Sequence, residues 1–345
     1  MKARLFGELD GEPVYEVTIR SDNGTEAKVI TWGAVIRDLI VRAGDKPQRV
    51  VLGLETLEDY VRHSPYFGAI AGRFANRIAH GRFRIGDETY QLSRNWKDEH
   101  SLHGGARGFG KQPWQLAGHD AASVTLTLFS PDGDEGYPGN LTATCTYRLV
   151  GSTLRVELTA AADAATPLNL AQHSHFNLDQ SSSILDHTLQ VAADFYTPTD
   201  ADLIPTGEIR AVAGTPYDFR GPRPLRMADP VTGDAFHYDI NFVLRGDRVT
   251  ASASKDGSLA HAATVASPAS GVSLEVWTNQ PGLQVYDGWM TKVPVPGLDG
   301  ARYGANSGLC LEAQLFPDSP NRPHFPDAIL RPGRTYRQIT EYRFG

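Results

Sequence analysis

Three stretches of the chain set hydrogen-bonding side chains among apolar neighbours. The first joins Gly72-Arg73-Phe74-Ala75-Asn76-Arg77-Ile78 to Ser101-Leu102-His103-Gly104-Gly105. The second is Leu168-Asn169-Leu170-Ala171-Gln172-His173-Ser174-His175-Phe176-Asn177. The third comes late, as Tyr238-Asp239-Ile240-Asn241-Phe242, Thr278-Asn279-Gln280-Pro281-Gly282 and Gly308-Leu309-Cys310-Leu311-Glu312-Ala313-Gln314. Burying such groups costs about 1–3 kcal/mol each unless they find partners. Glu312 is the sharpest case, because a carboxylate inside Leu-Cys-Leu-Glu-Ala must be paired, protonated or functional. His173 and His175 would share one face of a strand, and Asp179 follows, an arrangement with some likeness to metal ligation. A metal needs a further ligand, however, and only His103 or Glu312 offers itself, by guesswork. With 11 histidines in the chain, such pairs arise by chance, and no metal or cofactor is expected. The Gly104–Gly110 run has neither dinucleotide nor Walker spacing and reads as a close-packed loop. No Gly-x-Ser-x-Gly elbow marks a hydrolase nucleophile.

The elements that carry these residues show a period of two. Val124, Leu126 and Leu128 alternate with Ser123, Thr125 and Thr127. Ala143, Cys145, Tyr147 and Leu149 do the same, and Leu154, Val156 and Leu158 continue after a Gly151-Ser152 turn. Further hairpins are expected over Val14–Trp32, around Asn23-Gly24, and over Arg82–Leu92, around Gly86-Asp87. One short helix is expected near Leu54–Arg62. With 34 Gly and 22 Pro as punctuation, the chain reads as all-β with few short helices. No Pro- or Ser-rich linker divides it, and the weakest composition, Gly246–Gly271, fits a surface hairpin. Residues 1–345 are therefore taken as one large β-sandwich domain.

Composition narrows the function classes. A formal net charge of −7 argues against nucleic acid, whose phosphates are met by Lys and Arg. No apolar run reaches the roughly 18–20 residues that span a bilayer, and no signal-peptide core is visible, so a cytoplasmic home is expected. Cys145 and Cys310 sit in apolar stretches and read as buried free thiols.

The polar clusters resemble the aldose 1-epimerase (galactose mutarotase) family. The tags are Gly-Arg-Phe-Ala-Asn-Arg-Ile, Ser-Leu-His-Gly-Gly, His-Ser-His-Phe-Asn-Leu, Tyr-Asp-Ile-Asn-Phe, Gln-Pro-Gly and Cys-Leu-Glu-Ala-Gln, in the family's order. Each alone is moderately specific, and six in sequence are highly so. The resemblance implies a β-supersandwich with an open sugar cleft, a monosaccharide substrate and no cofactor. It implies Glu312 as general base and His173 as general acid, with Arg77, His103, Asp239, Gln280 and Asn76 holding sugar hydroxyls. One departure is visible: His175 stands where many relatives carry an aromatic residue such as tyrosine.

Interconverting sugar anomers asks for two coordinated proton transfers, one from the anomeric hydroxyl and one to the ring oxygen. A Glu near its reference pKa of about 4.3 is ionised at neutral pH, and a His near about 6.5 can give or take a proton. A carboxylate beside His173 is expected to favour its imidazolium form. Plainer readings stand beside these. His173 as a structural histidine, Arg77 as the counter-ion of Asp239 or Glu312, and Gln280-Pro-Gly as turn chemistry all fit the residues alone. Trp96 and Trp114 read as core rather than as sugar platforms. Two other functions compete: a glycoside hydrolase using Asp239 and Glu312, and a non-catalytic carbohydrate-binding protein. A hexose-phosphate epimerase would want basic residues at the cleft rim, which the sequence does not announce.

Overall fold

The computed structural model describes residues 3–43, 46–246 and 258–345. Residues 247–257 of the Gly246–Gly271 stretch lie outside this set, and its remainder includes the strand Ala260–Ala266, which turns into Ser273–Thr278.

Strands dominate, as the alternation requires. The largest sheet has nine strands. Four of them, Gln115–His119, Ser123–Ser130, Leu141–Val150 and Thr153–Ala162, run as an antiparallel meander. Val150 pairs with Thr153, so Gly151-Ser152 is the two-residue turn, with Gly151 at φ +53°. The strand Tyr336–Phe344 then lies between Thr153–Ala162 and Ser273–Thr278. A five-stranded sheet built from Arg4–Leu9 through Lys46–Arg49 packs against this one: Val17, Ile19, Val29 and Ile36 share a core with Leu126, Cys145, Val156 and Tyr342. Both expected hairpins, Glu12–Arg20 with Glu26–Ile30 and Arg82–Ile85 with Glu88–Gln91, are present.

The α-helix among the described residues is Leu57–His63. It starts three residues later than expected because Thr56 accepts the Asp59 main-chain N–H at 3.1 Å and so caps the first turn. Leu54, read as helical, bridges Gly297 instead. No helix among the described residues is long and apolar enough to cross a membrane.

The sheet that carries the site has six strands, in the order His175–Phe176, Leu309–Gln314, Gly282–Tyr286, Asp239–Leu244, Ala193–Thr197 and Arg210–Ala211. Its register sets Asn241 opposite Gln284 and Gln284 opposite Glu312, while Asp239, Tyr286 and Cys310 line up two residues away. Directly opposed and i, i+2 residues share a face. One face therefore carries Asp239, Asn241, Gln284, Tyr286, Cys310 and Glu312. The other carries Ile240, Phe242, Leu283, Val285, Leu309 and Leu311, all in the main core. The whole strand Leu309–Gln314 is buried, so its polar side chains are turned into protein.

Candidate active site

A short two-strand pairing of Arg77–Ile78 with Ser101–Leu102 places the first cluster over this polar face. Asn76 and His103 then lock one another. The Asn76 N–H donates to His103 Nδ1 at 3.2 Å, and the His103 N–H donates to the Asn76 carbonyl at 3.0 Å. Gly104, at φ +87°, is required here, because an added Cβ would lie 1.9 Å from the Gly72 carbonyl oxygen. The glycine run is thus a close-packed loop, as its spacing predicts.

Asp239 is held from two sides. Arg77 Nη2 lies 3.2 Å from Oδ2, and Gln284 Nε2 donates to Oδ1 at 2.6 Å. The Arg77 guanidinium also lies 4.5 Å from the Trp96 ring centroid, and the Asn76 side-chain oxygen accepts from the Arg77 main chain at 2.9 Å. His173 ends the strand Ala171–His173, which pairs with Ala69–Ala71 and brings the imidazole to the carboxylate face. Its Nε2 lies 3.6 Å from Glu312 Oε2, which is buried and has no hydrogen-bond partner. Tyr66 packs against both His103 and His173, with centroids 4.6 and 5.8 Å apart.

These side chains line a cavity of about 200 Å³. Asn76, Arg77, His103, His173, Asp239 and Glu312 all border it, together with Pro65, Tyr66, Trp96, Leu102, Tyr286 and Met290. Gln280 does not border it. Its amide donates to Asn279 Oδ1 at 3.2 Å, before the strand begins at Gly282. The glutamine that reaches the site is Gln284, through Asp239. The sequence held the signal for this. Gln284 shares the alternation of a strand starting at Gly282, whereas Gln280 belongs to the turn. Trp96 also differs from its core reading, for it is half-buried on the cavity wall. Asp179 is no partner of the histidine pair, because its carboxylate accepts from Ser267 and the Ser181 main chain.

Burial sets the electrostatics. Desolvation pushes Glu312 well above the usual carboxylate range, Asp239 adds to this, and Arg77 opposes it. Desolvation also pushes His173 down to about 4. His103 is held well below its ordinary value by burial first and then by the neighbouring His173, Arg77 and Lys111 side chains. The expectation of an ionised Glu312 beside an imidazolium is thereby corrected. Both partners favour their neutral forms, since the cost of stripping water from two charges exceeds their attraction at 3.6 Å.

A cavity fringed by hydrogen-bond donors and acceptors, with an imidazole and a carboxyl group in reach of one atom, suits a small polyhydroxylated ligand. The sequence model described as aldose 1-epimerase matches residues 15–343. The chain belongs to the aldose 1-epimerase family. It is 43% identical over 348 residues to the galactose mutarotase of Mus musculus, covering 99% of this chain and 97% of that protein. It is 37% identical over 345 residues to the aldose 1-epimerase of Escherichia coli (strain K12), covering 97% and 96%. Among solved structures, an aldose epimerase homologue from C. elegans superposes with a TM-score of 0.87 at 29% identity, covering 96% of this chain and 98% of that one. The galactose 1-epimerase of Lactobacillus acidophilus NCFM gives 0.82 at 28% identity, covering 100% and 98%. The expected all-β, mutarotase-like fold holds, and so does isomerase activity at the anomeric centre of aldoses.

Proposed function

We propose that Glu312 and His173 are the proton-transfer pair with which this aldose 1-epimerase opens and recloses a free sugar such as galactose or glucose. The observation that carries this is the pair itself, 3.6 Å apart on one cavity wall, with the facing carboxyl oxygen free of other bonds. The anomeric hydroxyl and the ring oxygen hang on the same carbon, C1, so two groups this close can serve both.

Glu312 takes the proton from the anomeric hydroxyl as His173 gives one to the ring oxygen, and the C1–O5 bond breaks. The aldehyde turns about C1–C2, and reclosure returns both protons by the reverse route. Ring opening converts carboxylate and imidazolium into carboxylic acid and imidazole, the forms that burial favours. Because the pair rests in those neutral forms, the ionised state that starts ring opening is reached at a cost that ring opening returns. A low barrier requires the bound sugar to stabilise the ionised pair. Arg77, His103, Asp239 and Asn76 hold the hydroxyls, and Gln284 fixes Asp239 for that task.

Both oxygens of Asp239 are already engaged by Arg77 and Gln284, which suits a binding carboxylate better than a glycosidase nucleophile or base. Buried free thiols fit a reducing, cytoplasmic setting. A core cluster running from Val17 to Phe344 supports treating residues 1–345 as one domain. The test is polarimetry on freshly dissolved α-anomer. The wild type should speed equilibration, and Glu312→Gln should lower kcat about a hundredfold or more. Wild-type rates in that variant would remove the assignment.

A further inference from the structure

Three groups among the described residues bring potential metal ligands within 4.8 Å of one another: Glu99/His100/Asp202, His103/His173/Glu312 and His173/His175/Cys310. Main-chain hydrogen bonds dispose of the first two. His100 Nδ1 accepts the His80 N–H at 2.9 Å, and His103 Nδ1 accepts the Asn76 N–H at 3.2 Å. A neutral imidazole that accepts at Nδ1 carries its own proton on Nε2, and that N–H has no lone pair for a metal. Metal-bound histidines show the opposite pattern, donating from their second nitrogen.

No such bond blocks the third group. His173 Nδ1 lies 3.6 Å from Cys310 Sγ. Zinc–nitrogen and zinc–sulfur bonds of about 2.0–2.1 and 2.3 Å, at a tetrahedral angle, separate two ligands by about 3.5 Å. A thiol hydrogen bond to His173 would also span this gap, but it leaves His175 unexplained. That residue is fully buried, and no side chain partners its ring nitrogens. The polar group that acts on it is the His173 main chain, which forms no well-aligned hydrogen bond with it. Its ring lies 5.2 Å from that of His173, and strand pairing sets it opposite Cys310. Phe67 and Tyr286 meet it in T-shaped ring contacts, with centroids 4.7 and 6.2 Å away.

We propose that His173, His175 and Cys310 form a site for a soft divalent transition metal such as zinc, and that filling it stops proton transfer through His173. Binding displaces one proton, from the Cys310 thiol, which becomes a thiolate ligand. Lone pairs on His173 Nδ1 and one His175 nitrogen complete the protein's donors, and no electron changes hands. Metallated at Nδ1, His173 keeps a proton on Nε2, the nitrogen facing Glu312, and can no longer cycle between giving and taking. His173 borders the cavity whereas His175 and Cys310 do not, so the ion acts without occupying the sugar's place. The inhibitory half of this proposal rests on His173 as a proton-transfer group, whereas the binding half does not.

The experiment uses the full chain, stripped with a chelator and titrated with Co²⁺, then with Zn²⁺. One equivalent of Co²⁺ should give a thiolate-to-metal charge-transfer band that Zn²⁺ bleaches. The band should vanish in Cys310→Ser and in His175→Phe. One equivalent of Zn²⁺ should lower kcat about a hundredfold with KM little changed, reversibly on chelation. Each variant, compared with its own metal-free rate, should resist. Absence of the band in the wild type, or its survival in Cys310→Ser, overturns the site. Should His175→Phe fail to fold, the serine variant alone decides. A band with no loss of rate keeps the site and removes His173 from proton transfer.

Discussion

Two strands of this molecule obey the same alternation and put it to different use. Along Leu141–Val150, Ala143, Cys145, Tyr147 and Leu149 are buried, while Thr142 and Arg148 are exposed and Thr144 and Thr146 half-exposed. Along Leu309–Gln314 every residue is buried, although Glu312 and Gln314 are as polar as the threonines. The apolar set faces the core in both. What differs is the second face, which meets water in one strand and a cavity in the other. Polar side chains on a doubly buried strand have no solvent to satisfy them, so they must bond one another or a ligand. Here they do both.

The largest effects should separate the faces within a single strand. Leu311→Ala should cost about 2–5 kcal/mol in urea unfolding, because it opens a void in the core. Glu312→Gln, next to it, should leave unfolding unchanged or raise stability while mutarotation collapses. Comparable stability losses in the two variants would erase the distinction drawn here. A smaller contrast compares the two glutamines. Gln284→Ala releases Asp239 from a charge-assisted hydrogen bond and should lower kcat/KM about tenfold. Gln280→Ala should stay within about twofold, since its amide bonds to Asn279 rather than lining the cavity. Equal losses would return Gln280 to the site.

The pH profile gives a subtler measure. A pair that works by passing a single proton is active only while it holds one. As pH falls, His173 gains a second proton near its lowered value of about 4, rather than near 6.5. The acid limb of kcat/KM should therefore lie near pH 4, and the alkaline limb should follow the raised Glu312. An acid limb at 6.5 would mean that burial does not govern the imidazole. Thr144→Ala, on the solvent side of its strand, is the smallest change, expected within about 0.5 kcal/mol.

Much of this was legible in the residues. Hairpins announced by Gly151-Ser152 and Gly86-Asp87 stand where alternation put them, because a half-buried strand writes its two faces directly into the sequence. Asn76, Arg77, His103, His173, Asp239 and Glu312 were recognisable as polar groups in apolar company, and all six border the cavity. The sequence singles out Gln280 because a short tag draws attention to its most distinctive residues, whereas strand parity decides which side chain arrives, and it delivers Gln284. Trp96 was read as core because a half-buried ring on a cavity wall has no local pattern of its own. Protonation was misjudged for a different reason. Reference values assume water, and the desolvation of Glu312 and His173 comes from strands brought together by the fold, such as Ala69–Ala71, which pairs with Ala171–His173 across about a hundred residues of chain.

The strand Tyr336–Phe344 lies between Thr153–Ala162 and Ser273–Thr278, two partners synthesised well before it. Until it arrives, a nascent chain holds two open strand edges where the finished sheet has its middle, and such edges invite pairing with other chains. Assembly of the largest sheet thus waits on contacts that span nearly two hundred residues, the kind that slow folding most. Chaperone dependence and losses during expression should be decided at this closing step, long before sugar chemistry begins.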